Sequence, residues 1–476
     1  MASTLFSSSV SLLFSYVVVL AFCTLQIHGG TDPSNSYYTI RVDSLFAAGK
    51  TGNCSIDLQG DDRDFSLKVT HRHGACSPLP ETDHAHLRDF LLQDQLRVDS
   101  LQHPSTIPTT STDVTLPARQ GLALGTGNYI VTVGYGTPRR DLTVVFDTGS
   151  DLSWIQCQPC AGFCYPQQDP IFDPSKSTTH ANVTCDSPYC AQLRRKTCAR
   201  ASDTCVYNVV YGDRSFSSGL LVLDTLTLTP SDVFPHFLFG CGQNNRGLFR
   251  GYAGLLGLSR TNLSIVSQTS RAFGGVFSYC LPSSSYHLGY LTFGSSNNRY
   301  PSDITCNGNV SYTPLLSSPR PDLYSVNMTG VSVMGQPLDI PPTVFSHAGT
   351  VVDSGTVVTR LPRTAYEALR EAYRAGLAEY PRAPPLAFLD TCFDFSGHEA
   401  VAVPRVTMHF DGGVDVVVDP SGLFVAERAS QVCLAIAGNA NDEDIGIVGN
   451  MQQRRHEVVF DVGNGRLGFG DNWGCN

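Results

Sequence analysis

Two short stretches of this sequence put an acid where an acid rarely helps a fold. Val144-Val145-Phe146-Asp147-Thr148-Gly149-Ser150 runs from apolar β-formers into acid, hydroxyl, glycine and hydroxyl, and Thr350-Val351-Val352-Asp353-Ser354-Gly355-Thr356 repeats the pattern. Asp is a poor strand residue, so an acid closing an apolar strand calls for a chemical reason. A single Asp-(Ser/Thr)-Gly is a serviceable β-turn and arises by chance about 0.2 times in a chain of this length. Two copies, each entered by an apolar run and each followed by a hydroxyl, exceed what turns require. Two carboxylates brought together cannot both ionise cheaply, so they share a proton. The ionised member can take a proton from water while the protonated member polarises a carbonyl. That is general acid–base amide hydrolysis without a covalent intermediate. Gly149 and Gly355 allow close approach of backbone, Thr148 and Ser354 could tie the two loops together, and Ser150 and Thr356 could hold the outer carboxylate oxygens.

The elements around the two acids are also paired. Ala253-Gly254-Leu255-Leu256-Gly257-Leu258 follows the first acid and Ile445-Gly446-Ile447-Val448-Gly449-Asn450 follows the second at a similar distance, so the sequence reads as an internal duplication. On these paired motifs the chain, from about residue 118 to its end, resembles the pepsin-like aspartic proteases. The resemblance implies an all-β fold, mainly β with a few short helices, in two lobes with the active-site cleft between them. It implies Asp147 and Asp353 as a catalytic dyad, protein or peptide substrates, preference for acid pH and for apolar residues around the cut bond, no cofactor and no metal, and a monomer.

Within the first half, after Asp147, lies a cysteine cluster: Cys157, Cys160, Cys164, Cys185, Cys190, Cys198 and Cys205. The Cys157-x2-Cys160 pair has zinc-like spacing, but the irregular later spacing favours disulfides stapling a loop-rich insert over 157–205. An insert at this place resembles the nepenthesin-like plant aspartic proteases, and Cys241, Cys280, Cys392, Cys433 and Cys475 suit the same pattern. Cys306 is surplus and leaves an odd thirteen beyond the leader segments. The resemblance pairs Cys392 with Cys433; the other connectivity is open. Cys205-Val206-Tyr207-Asn208-Val209-Val210-Tyr211 alternates into a turn and returns at Ser217-Ser218-Gly219-Leu220, a hairpin. By resemblance Tyr211 and Gly212 form the tip of a flap over the substrate, with Trp154 beneath it. Arg214 departs from relatives, which usually have Gly there.

Residues 1–29 carry an apolar run from Val10 to Phe22, short for a membrane span and typical of a secretory signal peptide. That stretch is Ser-rich, acid-free and without Lys or Arg before the apolar run, so a chloroplast transit peptide is the alternative. Residues 30–117 read as a propeptide with a linker. Leu87, Phe90, Leu91, Val98 and Leu101 recur at helical spacing, and Pro104–Pro117 is rich in Ser, Thr and Pro. The basic Lys68-Val69-Thr70-His71-Arg72-His73 is expected near the acidic cleft, to be released when carboxylates protonate. Its His-x-His is a metal candidate without evident further ligands. Residues 118–320 then form the N-terminal lobe and 321–476 the C-terminal lobe. In the latter, Thr364 and Glu367 make a capping-box pattern ahead of a helix whose face is Tyr366, Leu369, Tyr373 and Leu377. The last hairpin turns at Gly463-Asn464-Gly465, with Asp461 as a turn acid.

Composition narrows the partners. A formal net charge of -10 makes nucleic acid a poor partner, and no hydrophobic tail at the C-terminus offers a lipid-anchor signal. Sixteen cysteines and five sequons, at Asn53, Asn182, Asn262, Asn309 and Asn327, point to an oxidising route and a secreted (apoplastic) or vacuolar destination. The expected protein is therefore a secreted aspartic endopeptidase made as a zymogen, with water activated between Asp147 and Asp353. The rivals are a catalytically silent inhibitor or binding protein of the same fold, and a plastid protease associated with nucleic acid.

Overall fold

The computed structural model describes residues 36–46, 66–72, 74–79, 87–102 and, with breaks at 200–201, 212–214, 248, 250, 285–286, 295–309, 318–319 and 348, residues 129–471. The expected signal peptide and the Pro104–Pro117 linker lie outside the described residues, as do Asn53, Gly212, Cys306, Asn309 and Cys475.

The chain is mainly β. Strand Arg140–Asp147 buries its last six residues, as an apolar run covered on both faces must. It pairs antiparallel with Tyr129–Tyr135 and parallel with Gly254–Gly257, Gly257 standing opposite Asp147. The second half repeats the device. Strand Thr350–Val352 pairs parallel with Gly446–Val448, and Val352 stands opposite Val448 just before Asp353. The two apolar-apolar-Gly motifs are thus the strands that flank the two acid-bearing strands. A hairpin of Thr204–Val210 and Phe216–Thr227 carries Tyr211 at its turn, where Tyr211 N–H donates to the Ser215 carbonyl at 2.8 Å.

The segment ahead of residue 129 is woven into this frame. Strand Ser66–His71 sits between Gly289–Phe293 and Tyr129–Tyr135, so it joins two parts of one large sheet. Leu67 and Val69 are buried there. Further upstream, Tyr37–Arg41 pairs antiparallel with Ala400–Pro404 and buries Ile40. The helix expected around residue 90 spans Leu87–Gln102 and buries Leu91, Val98 and Leu101, leaving Leu92 and Leu96 exposed.

The cysteine insert is stapled by disulfides. The bridges are Cys157–Cys241, Cys160–Cys164, Cys185–Cys198 and Cys190–Cys205, and Cys392 pairs with Cys433. Cys280 is also disulfide-bonded. Of the sequons described, Asn182 and Asn262 are exposed, whereas the Asn327 amide donates to Asp411 at 2.9 Å.

One local expectation is corrected. The helix Arg363–Gly376 does bury Tyr366, Leu369 and Tyr373, but Thr364 and Glu367 form no capping box. Thr364 lies inside the helix, its N–H donating to Asp442 Oδ1 at 2.8 Å, and Glu367 pairs with Arg363 at 3.2 Å. A carboxylate from a distant loop caps this helix in place of its own side chains. The final hairpin is as read: the Asp461 carboxylate accepts from Asn464 and Arg466 across its turn.

Because Ser66–His71 joins two parts of the sheet, Leu67→Ala should lower stability by about 2 kcal/mol or more. Urea unfolding of the full chain measures this, and a change below about 0.5 kcal/mol would show that the strand does not support the sheet.

Candidate active site

The two parallel strand pairs bring Asp147 and Asp353 to one place, with 3% and 0% of their surfaces exposed. The loops that follow are cross-tied. Thr148 N–H donates to Ser354 Oγ at 3.1 Å, and Ser354 N–H donates to Thr148 Oγ1 at 2.9 Å. Each hydroxyl thus accepts the other loop's backbone N–H, which fixes the spacing of the acids to within a hydrogen bond. Each acid is then held by its own loop. Gly149 N–H and Ser150 Oγ donate to Asp147 at 2.9 and 2.5 Å, and Gly355 N–H and Thr356 Oγ1 donate to Asp353 at 3.2 and 2.5 Å. Behind them, Asn450 Nδ2 donates to the Ser354 carbonyl at 2.9 Å, and Gln453 Nε2 to the Asp353 carbonyl at 3.3 Å.

The loop glycines are required by close approach. A Cβ on Gly355 would lie 2.5 Å from Asp147 Oδ1, and one on Gly149 3.0 Å from Asp353 Oδ1.

Between the carboxylates lies a guanidinium that the sequence reading did not single out. Arg97, on the Leu87–Gln102 helix, forks across both acids. Its Nη1 and Nη2 donate to Asp147 at 3.0 and 2.7 Å, and its Nε and Nη2 donate to Asp353 at 3.0 and 2.9 Å. Asp94, one turn earlier, accepts from the backbone N–H of Val357 at 2.6 Å and of Val358 at 3.2 Å. The signal was present in the sequence: Asp94 and Arg97 interrupt the apolar stripe of Leu87, Phe90, Leu91, Val98 and Leu101, and a polar pair inside a buried face needs partners. The described part of the expected basic group, Lys68–Arg72, is placed elsewhere. Lys68 and His71 lie in the sheet, His71 edge-on to Tyr129, and Arg72 is buried over the Tyr252 ring at 4.8 Å. A strand held on both sides by other strands cannot also deliver its charges to the dyad; His73 lies outside the described residues.

Charge at the site is balanced unevenly. Burial pushes both carboxyls up, and the Arg97 charge pulls both down. At Asp147 the pull of Arg97, Ser150 and Gly149 prevails and holds the carboxyl below its ordinary range. At Asp353 burial and the neighbouring Asp147 charge prevail and raise it. The pair therefore accommodates one proton more readily on Asp353 than on Asp147.

At the expected flap, Trp154 Nε1 donates to Tyr211 Oη at 2.7 Å. Phe249, absent from the sequence reading, meets both rings edge-on, 4.9 Å from Trp154 and 5.5 Å from Tyr211. Burial raises the Tyr211 phenol well above its ordinary value and keeps it a donor. Among the described residues no cluster of His, Cys, Asp or Glu has the makings of a metal site.

Two family models match this chain, described as xylanase inhibitor N-terminal over residues 129–295 and xylanase inhibitor C-terminal over residues 323–471. An aspartyl protease family protein of Arabidopsis thaliana is 44% identical over 98% of this chain and 99% of its own length. Aspartic proteinase nepenthesin-2 of Nepenthes gracilis is 35% identical over 72% of this chain and 77% of its own. Among solved structures, basic 7S globulin from soybean shares the fold with a TM-score of 0.59 at 21% identity, covering 73% of this chain and 92% of that one. This chain belongs to the pepsin-like aspartyl proteases of plants, in their nepenthesin-like group, a family of aspartic-type endopeptidases.

The cross-tie makes a quantitative prediction. Thr148→Val leaves the buried Ser354 N–H without an acceptor and should cost about 1–3 kcal/mol of stability. Ser354→Ala should cost a similar amount, and the double variant less than the sum, since both remove parts of one tie. Strict additivity in urea unfolding would show that the two hydrogen bonds are independent.

Proposed function

We propose that this chain is made as a secreted zymogen and, once processed, hydrolyses peptide bonds by the Asp147–Asp353 dyad. The observation that carries this reading is the Arg97 fork. A guanidinium bonded to both carboxylates occupies the place from which a water would bridge them, so chemistry requires the Leu87–Gln102 helix to leave. The Ser-, Thr- and Pro-rich stretch 104–117 follows the helix directly and is the natural place for the cut that frees it. The disulfides of the Cys157–Cys205 insert support passage through an oxidising compartment.

In the freed site, water is held between the two carboxylates. The ionised member takes its proton as the oxygen attacks the scissile carbonyl, and the protonated member donates to the carbonyl oxygen. The resulting tetrahedral species collapses with proton transfer to the leaving amine, which regenerates a dyad carrying one proton. Tyr211, tied to Trp154 and backed by Phe249, closes over the bound chain and limits water.

The same geometry sets the direction of pH control. Docked Arg97 pulls on both carboxyls, and at Asp147, which it helps hold below the ordinary carboxylate range, that pull prevails over burial, so the undocked state binds a proton more tightly there. Helix docking is therefore fully favoured above the undocked carboxyl pKa values and weakens as pH falls through the carboxylate range. Acid promotes release, and the acid range is also where a dyad retaining one proton is active.

Purified full-length chain incubated from pH 2 to 8, with self-truncation and cleavage of a denatured protein as readouts, tests this. The wild type should process itself and cleave only toward the acid end. Asp147→Asn should lower turnover by about 1,000-fold or more. Arg97→Gln should process at a pH higher by roughly one unit or more, because the acid-sensitive link is gone. A correctly processed wild type without activity would overturn the protease reading; an unchanged activation pH in Arg97→Gln would overturn the role given to the fork.

A further inference from the structure

Arg360 lies on strand Thr359–Leu361, four residues beyond Thr356, and its side chain is 1% exposed. Its Nη1 donates to the Val358 carbonyl at 2.8 Å, and its guanidinium lies 4.0 Å over the Phe388 ring. Its Nη2 turns to the Leu87–Gln102 helix, donating to Asp94 Oδ2 at 3.1 Å and Gln95 Oε1 at 3.4 Å. Its Nε is buried without a partner. Beside it, the Val357 and Val358 N–H groups complete the hold on the Asp94 carboxylate at 2.6 and 3.2 Å. The three donors make a cradle with the shape and charge of a carboxylate receptor. All of them belong to the body of the enzyme, and the carboxylate belongs to the helix. Asp94 and Asp99, the two acids that favour the charged form of Arg360 against burial, are both on that helix.

When the helix leaves, a buried guanidinium and two backbone N–H groups lose their acceptor together. An uncompensated charge of this kind is costly, so the cradle favours a replacement anion. Val357 follows directly on the Asp353 loop, so whatever replaces Asp94 lies in the cleft. Asp94 precedes Arg97 by three residues, about 4.5 Å along a helix axis, the span of one to two residues of an extended chain.

We propose that Arg360 and the backbone N–H groups of Val357 and Val358 form a carboxylate-binding subsite, filled by Asp94 before activation and afterwards by an aspartate or glutamate side chain of the substrate close to the cut bond. This rests on the protease reading above and adds a substrate class to it. The apolar lining around the helix, Val357, Val358, Leu386, Leu389 and Met451, takes up Leu91 and receives apolar neighbours of that acid.

Activated wild-type enzyme is assayed on fluorogenic peptides that share one cleavable core and carry Asp, Asn, Glu or Gln at each of the three positions on either side of the cut. At one position the acid should exceed its amide by about 10-fold or more in kcat/KM near pH 5, and the ratio should shrink toward pH 3 as the substrate carboxyl protonates. Arg360→Gln should bring that ratio to about 1 and Arg360→Lys should retain part of it. A peptide of the Leu87–Gln102 sequence should inhibit wild-type enzyme, and its Asp94→Asn form about 10-fold more weakly, which reads the cradle without altering the enzyme. Cleavage with every acid-to-amide ratio within about 2-fold, or equal inhibition by the two helix peptides, would overturn the subsite while leaving the protease reading intact. Processed enzyme that cleaves none of the peptides would overturn both.

Discussion

Two buried carboxylates held side by side are the constraint on which this structure turns. Neither can drift, because Asp147 ends, and Asp353 directly follows, a strand sandwiched between neighbours. Nor can the two loops drift apart, because Thr148 and Ser354 exchange backbone hydrogen bonds. Like charges forced together in a dry site need either a shared proton or a cation. Here the cation is Arg97, and its planar fork matches the paired carboxylates as an ammonium could not. The strength of this arrangement is also its weakness, since protonating a carboxylate removes part of the charge that holds the guanidinium.

Charge is not the sole tether of the helix. Leu91 packs among Val358, Leu389 and Met451, while Val98 and Leu101 pack against Leu323, Val351 and Ile447. Burial of each such side chain contributes roughly 1.5–3 kcal/mol, comparable to a charged hydrogen bond. Protonation therefore loosens only part of the hold. Under the zymogen reading, acid opens the site transiently and cleavage of the chain makes the opening permanent. The strands Tyr37–Arg41 and Ser66–His71, paired into two different sheets, anchor the segment upstream of the helix by backbone hydrogen bonds that acid does not touch.

The site was legible in the sequence to the extent that its chemistry is local. An acid after an apolar run, then hydroxyl, glycine and hydroxyl, specifies the strand, the turn and the hydrogen bonds each acid receives, and the structure shows those bonds. The Tyr211 hairpin and the buried face of the Arg363–Gly376 helix were legible for the same reason, a periodicity within one short segment. Partners supplied from a distance were not. The cap of the Arg363–Gly376 helix comes from Asp442, which no spacing rule connects to Thr364. Phe249 joins Trp154 and Tyr211 from another part of the chain, and the insert's cysteines admitted many pairings until the strands placed them.

The sequence by itself determined that two equivalent acids would stand at strand ends, since apolar β runs must be buried and an acid at their close must be held by its own loop. Only the tertiary structure decided what faces those acids. Arg97 is one among 32 lysines and arginines, and of the basic stretch expected at the cleft, Lys68–His71 is drawn into a sheet beside Leu67 and Val69. The physical reason is that burial and strand pairing act on whole segments, whereas a charge reaches a site only where its segment has already been packed. The helix face carrying Leu91, Val98 and Leu101 seats first in importance, and Asp94 and Arg97 meet Arg360 and the dyad because they share that face.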